Sequence, residues 1–185
     1  MGKKLGILCV LMCIGFTLSA QERLDNFFGF REFKLKTVKE DYARYELKRT
    51  DFYNLPNIIE VYALPYSIAI GNTRMEELHL FFLGNRLVRV VALLKDSLNL
   101  GYLKKAFGEG IPPTRTSHVN EVGKEEFTRF GKTYFYSPVY SWQAESVCFE
   151  EKWMYYIPDK KSITKTMCLD LYLKDFKDMM QTLTN

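Results

Sequence analysis

The two histidines, His79 and His118, are the residues of this sequence best suited by type to catalysis or metal binding. Neither belongs to a His-x-His, His-Glu-x-x-His or Cys-x-x-Cys pattern, so a zinc site is not predicted. His79 lies between Leu78 and Leu80, on the opposite face of a strand from these leucines, and we expect it at the sheet surface. The sequence also lacks a Gly-x-Ser-x-Gly elbow and the glycine loops that bind phosphates. It therefore predicts no catalytic residue, no cofactor and no metal.

Adjacent carboxylates are the next candidates, because glycoside hydrolysis uses two carboxyl groups that face each other across a cleft. Neighbouring residues of a strand point to opposite faces, so adjacent carboxylates on a strand cannot form such a pair by themselves. We expect these side chains to be solvated, and the alternative is a catalytic site assembled from distant residues. The adjacent carboxylates are Glu40-Asp41, Glu76-Glu77, Glu125-Glu126 and Glu150-Glu151.

Two of the four cysteines lie in the apolar stretch "LGILCVLMCIGFTLSA", from Leu5 to Ala20, which follows two lysines. A basic start, a short apolar run and small residues before a polar segment are typical of a secretory signal peptide. The run is shorter than the ~20 apolar residues of a spanning helix. We predict cleavage after Ala20, export to the periplasm or the extracellular space, and no stable membrane insertion of the mature protein. An uncleaved anchor is the alternative.

The other two cysteines, Cys148 and Cys168, lie on either side of a turn at 157–161, in segments that the pattern predicts to be neighbouring strands. Export makes a disulfide permissible. A bond across two strands is geometrically reasonable where their register brings the cysteines together. We predict a disulfide between Cys148 and Cys168, with two buried thiols as the alternative.

Residues 21–185 are long enough for a single α+β domain, with possible lobes at 28–112 and 113–185. Of the 26 basic and 22 acidic residues in the chain, 24 and 22 remain after removal of residues 1–20, so the mature protein has little net charge. It contains no block of five like charges. Because nucleic-acid binding requires a basic footprint, we expect no nucleic-acid partner.

The clearest local pattern is "ELHLFFL-GN-RLVRVVALL", two apolar-rich runs separated by Gly84-Asn85. A two-residue link that tolerates positive φ predicts a β-hairpin. The second run is apolar on both faces, which indicates a central strand. A helix is predicted to begin after Ser97 or Asn99 and to end at Gly108.

A Thr-x-x-Glu capping box at residues 37–40 predicts another helix over about 38–48. From residue 133 the chain is rich in strand-forming residues, and a short helix is predicted over 176–183. Because strands follow each helix in groups, we predict an α+β fold with a mainly antiparallel sheet and two principal helices. The fragments "YSIAIGN" and "YSWQAES" start 74 residues apart, at Tyr66 and Tyr140, which suggests a tandem helix-then-strands repeat.

The run from Phe30 to Thr37, the hairpin at Gly84-Asn85 and the fragment "YLKKAFGEG" resemble small exported bacterial α+β domains of unknown function. The helix-then-sheet tandem is also similar to the β-lactamase inhibitor protein and to outer-membrane assembly lipoproteins of that fold. The resemblance covers residues 28–112 and implies this fold and a binding role. The lipidated cysteine of the lipoproteins is absent, and no functional residue carries over.

Aromatic residues provide the remaining candidate site. Four of them share even numbering, and on one uninterrupted strand they would lie along one face, although Pro138 falls among them. We expect either a binding face or a face that packs on a helix. The preferred function is an exported, non-enzymatic domain that binds another protein or an envelope component. The alternatives are a carrier of small apolar ligands and a hydrolase of unrecognised type. The four aromatic residues are Tyr134, Tyr136, Tyr140 and Trp142.

Overall fold

The computed structural model describes Leu24 and residues 29–50, 58–70, 73–95, 100–111, 125–129, 132–159 and 162–184. The predicted signal peptide and His118 lie outside these residues.

Most of the described chain forms β-strands, with two short helices. The strands are β1 (Gly29–Phe30), β2 (Phe33–Lys34), β3 (Lys48–Thr50), β4 (Ile59–Ile70), β5 (Thr73–Leu83), β6 (Arg86–Leu94), β7 (Glu125–Arg129), β8 (Lys132–Gln143), β9 (Val147–Asp159) and β10 (Ser162–Leu173). The helices are α1 (Leu100–Phe107) and α2 (Lys174–Thr184), and a 3₁₀ turn spans Lys39–Tyr42.

In the described residues, the main sheet has eight strands in the order β3-β4-β5-β6-β10-β9-β8-β7. It consists of two four-stranded meanders, β3 to β6 and β7 to β10, whose last strands pair with each other. In that pairing Val91 of β6 lies opposite Asp170 of β10, and the strands are antiparallel. The prediction of an α+β fold with a mainly antiparallel sheet is therefore confirmed, with less helix than the pattern indicated.

The predicted hairpin at Gly84-Asn85 is confirmed, and it joins β5 to β6. Gly84 has a φ of 59°, which suits the first position of a tight turn that follows the twist of the strands. The helix predicted to end at Gly108 is also confirmed. Gly108 has a φ of 81°, and its N–H donates to the carbonyl of Lys104 at 2.8 Å, which ends α1 in a left-handed cap.

The helix predicted over 38–48 is wrong, because only the 3₁₀ turn forms there. The main chain before it bonds to β6 and its turn instead. Lys36 N–H donates to Leu87 O, Leu87 N–H donates to Thr37 O, and Lys39 N–H donates to Asn85 O. No side chain among the described residues caps the turn. Since each backbone group makes its bond once, pairing with the sheet competes directly with helix formation.

The two faces of the sheet carry separate apolar clusters. The first cluster includes Leu103 of α1 and side chains around the β1–β2 hairpin, and we call this side the α1 face. The second cluster includes Phe176 of α2, and we call this side the α2 face. Strand β6 contributes to both, as predicted for a central strand: Val90 belongs to the α1 face and Val91 to the α2 face.

The predicted disulfide is wrong, because the structure has Cys148 and Cys168 as buried thiols with no bond between them. They lie on paired strands, but Cys148 is opposite Tyr172 and Cys168 is opposite Lys152. The cysteines are thus four residues apart along the strands, or about 13 Å. A disulfide requires Cα atoms within about 7 Å, so this register excludes it.

Candidate functional site

The four aromatic residues predicted to form one face are divided by a bulge in β8. Pro138 pairs with Lys152 and Tyr140 pairs with Glu151, so one additional residue lies between the two pairs. A bulge of this kind reverses which residues point to which face. Tyr136 therefore packs in the cluster of the α2 face, whereas Trp142 packs in that of the α1 face.

The shared, exposed aromatic face is accordingly wrong for these residues. Tyr136 and Trp142 are 2% and 4% exposed, on opposite sides of the sheet. The side chain of Tyr134 lies outside the described part of the structure. Tyr140 alone among the four remains as a partly exposed side chain in the described residues.

Trp142 anchors the end of α1 to the sheet. Its Nε1–H donates to the carbonyl of Gly108 at 3.0 Å, and its ring centroid lies 5.6 Å from that of Phe149. Gly110 approaches so closely that a Cβ there would lie 2.8 Å from the indole. Tyr140 lies beside it, with the ring centroids 6.2 Å apart. The chain after α1 therefore covers Trp142, whereas the neighbouring Tyr140 is only partly buried.

Alternate residues of β9 lie beside Tyr140 on the α1 face. Phe149 is buried in the cluster, while Trp153 and Tyr155 are partly exposed. Because β9 pairs with β10 without a register shift over this stretch, residues 149, 151, 153 and 155 share one face. We call the partly exposed residues Tyr140, Trp153 and Tyr155 the aromatic strip.

Glu151 lies within this row of aromatic side chains. It is directly opposite Tyr140 on β8 and Leu169 on β10, and it is 3% exposed. Its Oε2 atom is buried with no hydrogen-bond partner. Burial raises the pKa of this carboxyl, and no opposite charge or donor among the described residues compensates for the loss of water. The α1 face thus contains a carboxyl group in apolar surroundings.

The prediction that Glu150 and Glu151 are solvated is wrong, because both are buried. They do point to opposite faces, as adjacent strand residues should. On the α2 face, Glu150 accepts a hydrogen bond from the Tyr172 hydroxyl at 2.7 Å and pairs with Lys152 Nζ at 2.7 Å. Within the described part of the chain, Glu150 is therefore compensated and Glu151 is not.

Glu150 belongs to a buried ionic network on the α2 face that crosses three strands. Arg89 of β6 donates to both carboxylate oxygens of Asp170 on β10, at 2.9 and 2.7 Å. Lys152 of β9 bridges the Oδ2 of Asp170 and the Oε2 of Glu150, each at 2.7 Å. Two cations are thus balanced by two anions, which is the condition for ions to remain buried. Because these four charged side chains pair with one another, the network has a structural role.

Aromatic rings enclose the two cations of the network. The guanidinium of Arg89 lies 4.8 Å from the ring centroid of Phe81, and Lys152 Nζ lies 5.5 Å from that of Tyr136. Such contacts stabilise desolvated cations through the negative faces of the rings. Burial and the neighbouring Glu150 raise the pKa of Tyr172, so its hydroxyl stays protonated and donates to that carboxylate.

His79 is also buried on the α2 face, and its predicted place at the sheet surface is wrong. Its Nε2 lies 2.5 Å from Glu77 Oε1. It does point away from Leu78 and Leu80, as the alternation predicted, but the second face of the sheet is covered as well. Within the described ranges, no group of three or more His, Cys, Asp or Glu side chains is arranged to hold a metal ion.

Sequence reasoning missed Glu151, Trp153 and Tyr155, although a signal for them was present. In the segment "FEEKWMY", starting at Phe149, the residues Phe149, Glu151, Trp153 and Tyr155 alternate with the others. Glu151 is therefore in phase with three aromatic residues, which indicates a carboxyl on an aromatic face. Reading the two glutamates as a solvated pair concealed this phase.

Comparison with known proteins gives no family for the chain. No family model matches it, and no solved structure matches it. Among curated proteins, it is similar to eukaryotic translation initiation factor 3 subunit J of Xenopus laevis, with 29% identity over 91 residues. The match covers 49% of this chain and 32% of that protein, so the chain spans about a third of the curated relative's length. No helix in the described parts of the chain has the length and apolar character to cross a membrane.

Proposed function

We propose that this protein is an exported, non-enzymatic domain that binds another protein or an envelope component through the aromatic strip. The observation that carries the proposal is the position of Tyr140, Trp153 and Tyr155: partly exposed, on adjacent strands, and on one face of the sheet. The signal-peptide pattern at residues 1–20 supports export.

Aromatic side chains on paired strands suit a binding surface for two physical reasons. Tyrosine and tryptophan are enriched at the centres of protein interfaces, because each buries a large area and retains a polar atom. Here the strands already hold them in place, so binding costs little additional side-chain ordering. The charged groups of the α2 face, in contrast, are paired with one another and buried.

We also propose that the two meanders are a tandem of related units, as in domains similar to the β-lactamase inhibitor protein. Both β4 and β8 contain a register shift at a proline. Pro65 pairs with Glu77 and the shift follows before Ile68, while Pro138 pairs with Lys152 and the shift follows before Tyr140. The fragments "YSIAIGN" and "YSWQAES" lie at these two bulges. Shared bulges support a common origin, since bulges persist within families.

Capture experiments with the mature protein, residues 21–185, test the binding role. Cross-linking in the native host followed by mass spectrometry should identify a partner that binds the wild type. Tyr140→Ser and Tyr155→Ser should each lose most of this capture while retaining the wild-type melting temperature. Tyr102→Ser, which changes an aromatic residue 49% exposed on α1, is the control and should retain capture. Failure to recover a partner, or capture that is insensitive to both strip variants, would contradict the proposal.

Export is tested separately by N-terminal sequencing of protein recovered from the extracytoplasmic fraction. The mature chain should begin at Gln21. Exported protein that still begins at Met1 would contradict the cleavage.

A further inference from the structure

Glu151 is buried at a cost that the described structure does not offset. An uncompensated carboxyl in apolar surroundings destabilises a fold, whether it stays charged or takes up a proton. Its cross-strand neighbours are Tyr140 and Leu169, and its neighbours along the same face of β9 are Phe149 and Trp153. None of these side chains supplies a cation, and the Oε2 atom has no hydrogen-bond partner.

Two described cations lie close to Glu151 or its neighbours, Lys104 near Tyr140 and Lys152 next to Glu151 in the chain, and both are already paired. Lys104 of α1 lies 5.8 Å from the ring centroid of Tyr140, and its Nζ is paired with Glu109 at 2.5 Å. Lys152 points to the opposite face, where it pairs with Asp170. Burial raises the pKa of Glu151, and no charged group among the described residues contributes to this shift. A cation for Glu151 therefore has to come from outside the described side chains.

We infer that Glu151, together with Tyr140 and Trp153, binds a lysine or arginine side chain of the partner protein. The inference rests on the proposed function and names the chemistry of its central contact. A carboxylate supplies charge-assisted hydrogen bonds to an ammonium or a guanidinium. The two neighbouring aromatic rings, one opposite Glu151 and one two residues along, favour a cation over a neutral group through their negative faces.

A buried carboxylate next to two aromatic rings has the features of a strong contact in a protein interface. Trp, Tyr and Arg dominate binding energy where they are fully desolvated, and Glu151 is already withdrawn from water. Because Glu151 is only 3% exposed, a basic side chain has to displace the partly exposed rings of Tyr140 and Trp153 to reach it. The contact then converts an uncompensated acid into an ion pair. Because the isolated carboxyl holds its proton more tightly than usual, binding a cation should release that proton, and the affinity should increase with pH.

The probe for this site is n-butylguanidinium chloride, with n-butylurea as its neutral control. Trp142→Phe leaves Trp153 as the sole tryptophan of the chain, so its fluorescence reports on the site. We expect a saturable change with n-butylguanidinium and none with n-butylurea. Glu151→Gln should weaken binding about tenfold or more, as expected for loss of a charge-assisted contact. A response that is absent, or equal in the Glu151→Gln protein, would overturn the inference.

Two further measurements test cation binding at Glu151 without relying on the fluorescence of the Trp142→Phe variant alone. If Trp142→Phe lowers stability, the same titrations follow the melting temperature of the wild type, which should increase with n-butylguanidinium and not with n-butylurea. Titrations from pH 4 to pH 8 should show binding that tightens as the pH increases through the raised pKa of Glu151, and an affinity that is unchanged or decreases over this range would count against the inference.

Capture of the cross-linked partner separates this inference from the proposed function. Loss of capture in Glu151→Gln, with wild-type melting behaviour, supports both. Normal capture by Glu151→Gln together with loss in Tyr140→Ser overturns the basic contact and leaves the aromatic strip as the binding surface. Absence of any partner for the wild type overturns the proposed function, whereas the n-butylguanidinium titration still decides whether the site binds a cation.

Discussion

Arg89 and Asp170 form a two-point ion pair across the junction of the two meanders. The guanidinium donates to Oδ1 at 2.9 Å and to Oδ2 at 2.7 Å, and both side chains are buried. In the register of β6 and β10, Asp170 lies opposite Val91, so the contact with Arg89 is diagonal. A slip of one residue would move one partner to the other face of the sheet. The pair therefore favours a single register where the two halves of the chain meet.

Replacing one partner of this ion pair should lower the free energy of unfolding substantially. Asp170→Leu leaves Arg89 and Lys152 with one buried anion between them, and we expect a loss of about 3–5 kcal/mol in the free energy of unfolding. Arg89→Leu together with Asp170→Leu removes one charge of each sign. The double variant should therefore lose much less than the sum of the single variants. Urea unfolding of all four proteins measures this coupling, and additive losses would contradict the network.

Glu151 should make stability depend on pH. Burial raises the pKa of this carboxyl, so the folded protein holds the proton more tightly than the unfolded chain does. Its contribution is most favourable below the unfolded pKa of about 4.3 and decreases as pH increases through the raised pKa. Glu151→Leu should abolish this decrease and be more stable than the wild type at pH 8. Urea midpoints from pH 4 to 8 test this, with Glu76→Gln, an exposed carboxyl, as the unchanged control.

Trp142 should behave as a core residue. Trp142→Ala removes a buried indole and its hydrogen bond to Gly108, and we expect a loss of about 3–5 kcal/mol. Tyr102→Ala, on the exposed side of α1, should change the free energy of unfolding by less than about 0.5 kcal/mol. Thermal or urea unfolding compares the two. Equal, small effects would show that the end of α1 does not depend on the indole.

The cysteines should react as two thiols in the mature protein once it is denatured without a reductant. Reductant should leave the melting temperature unchanged, because no disulfide joins Cys148 and Cys168. A thiol-reactive dye gives the count. Fewer than two reactive thiols per denatured monomer would contradict the register of β9 and β10.

Gly84 should be required for its backbone conformation alone. A Cβ at this position would meet nothing within 4 Å, so any cost of substitution comes from its φ of 59°. Gly84→Ala should lose about 1–2 kcal/mol, and Gly84→Asn should lose less, because asparagine tolerates this region. Urea unfolding measures both, and an alanine variant as stable as the wild type would contradict the turn conformation.

Local chemistry made the hairpin and two of the helices predictable. The link Gly84-Asn85 between apolar runs and the glycine that ends α1 act through their own backbone angles, which neighbouring residues hardly change. The α+β character followed from the same patterns, because strand-forming runs came in groups after each helix. The short helix predicted over 176–183 lies within α2, which spans Lys174–Thr184.

Only the tertiary structure decided which side chains are buried and together. The capping box at residues 37–40 had a helical pattern, but hydrogen bonds to β6 took its backbone groups. The bulge after Pro138 placed Tyr136 and Trp142 on opposite faces of the sheet. Side chains packed on both faces of the sheet buried His79, Glu150 and Glu151. Each of these outcomes depends on contacts between residues far apart in the chain. The sequence by itself determines conformations that depend on neighbouring residues, such as tight turns and helix ends. Strand register and burial depend on contacts between strands that are far apart in the chain, so only the tertiary structure decides them.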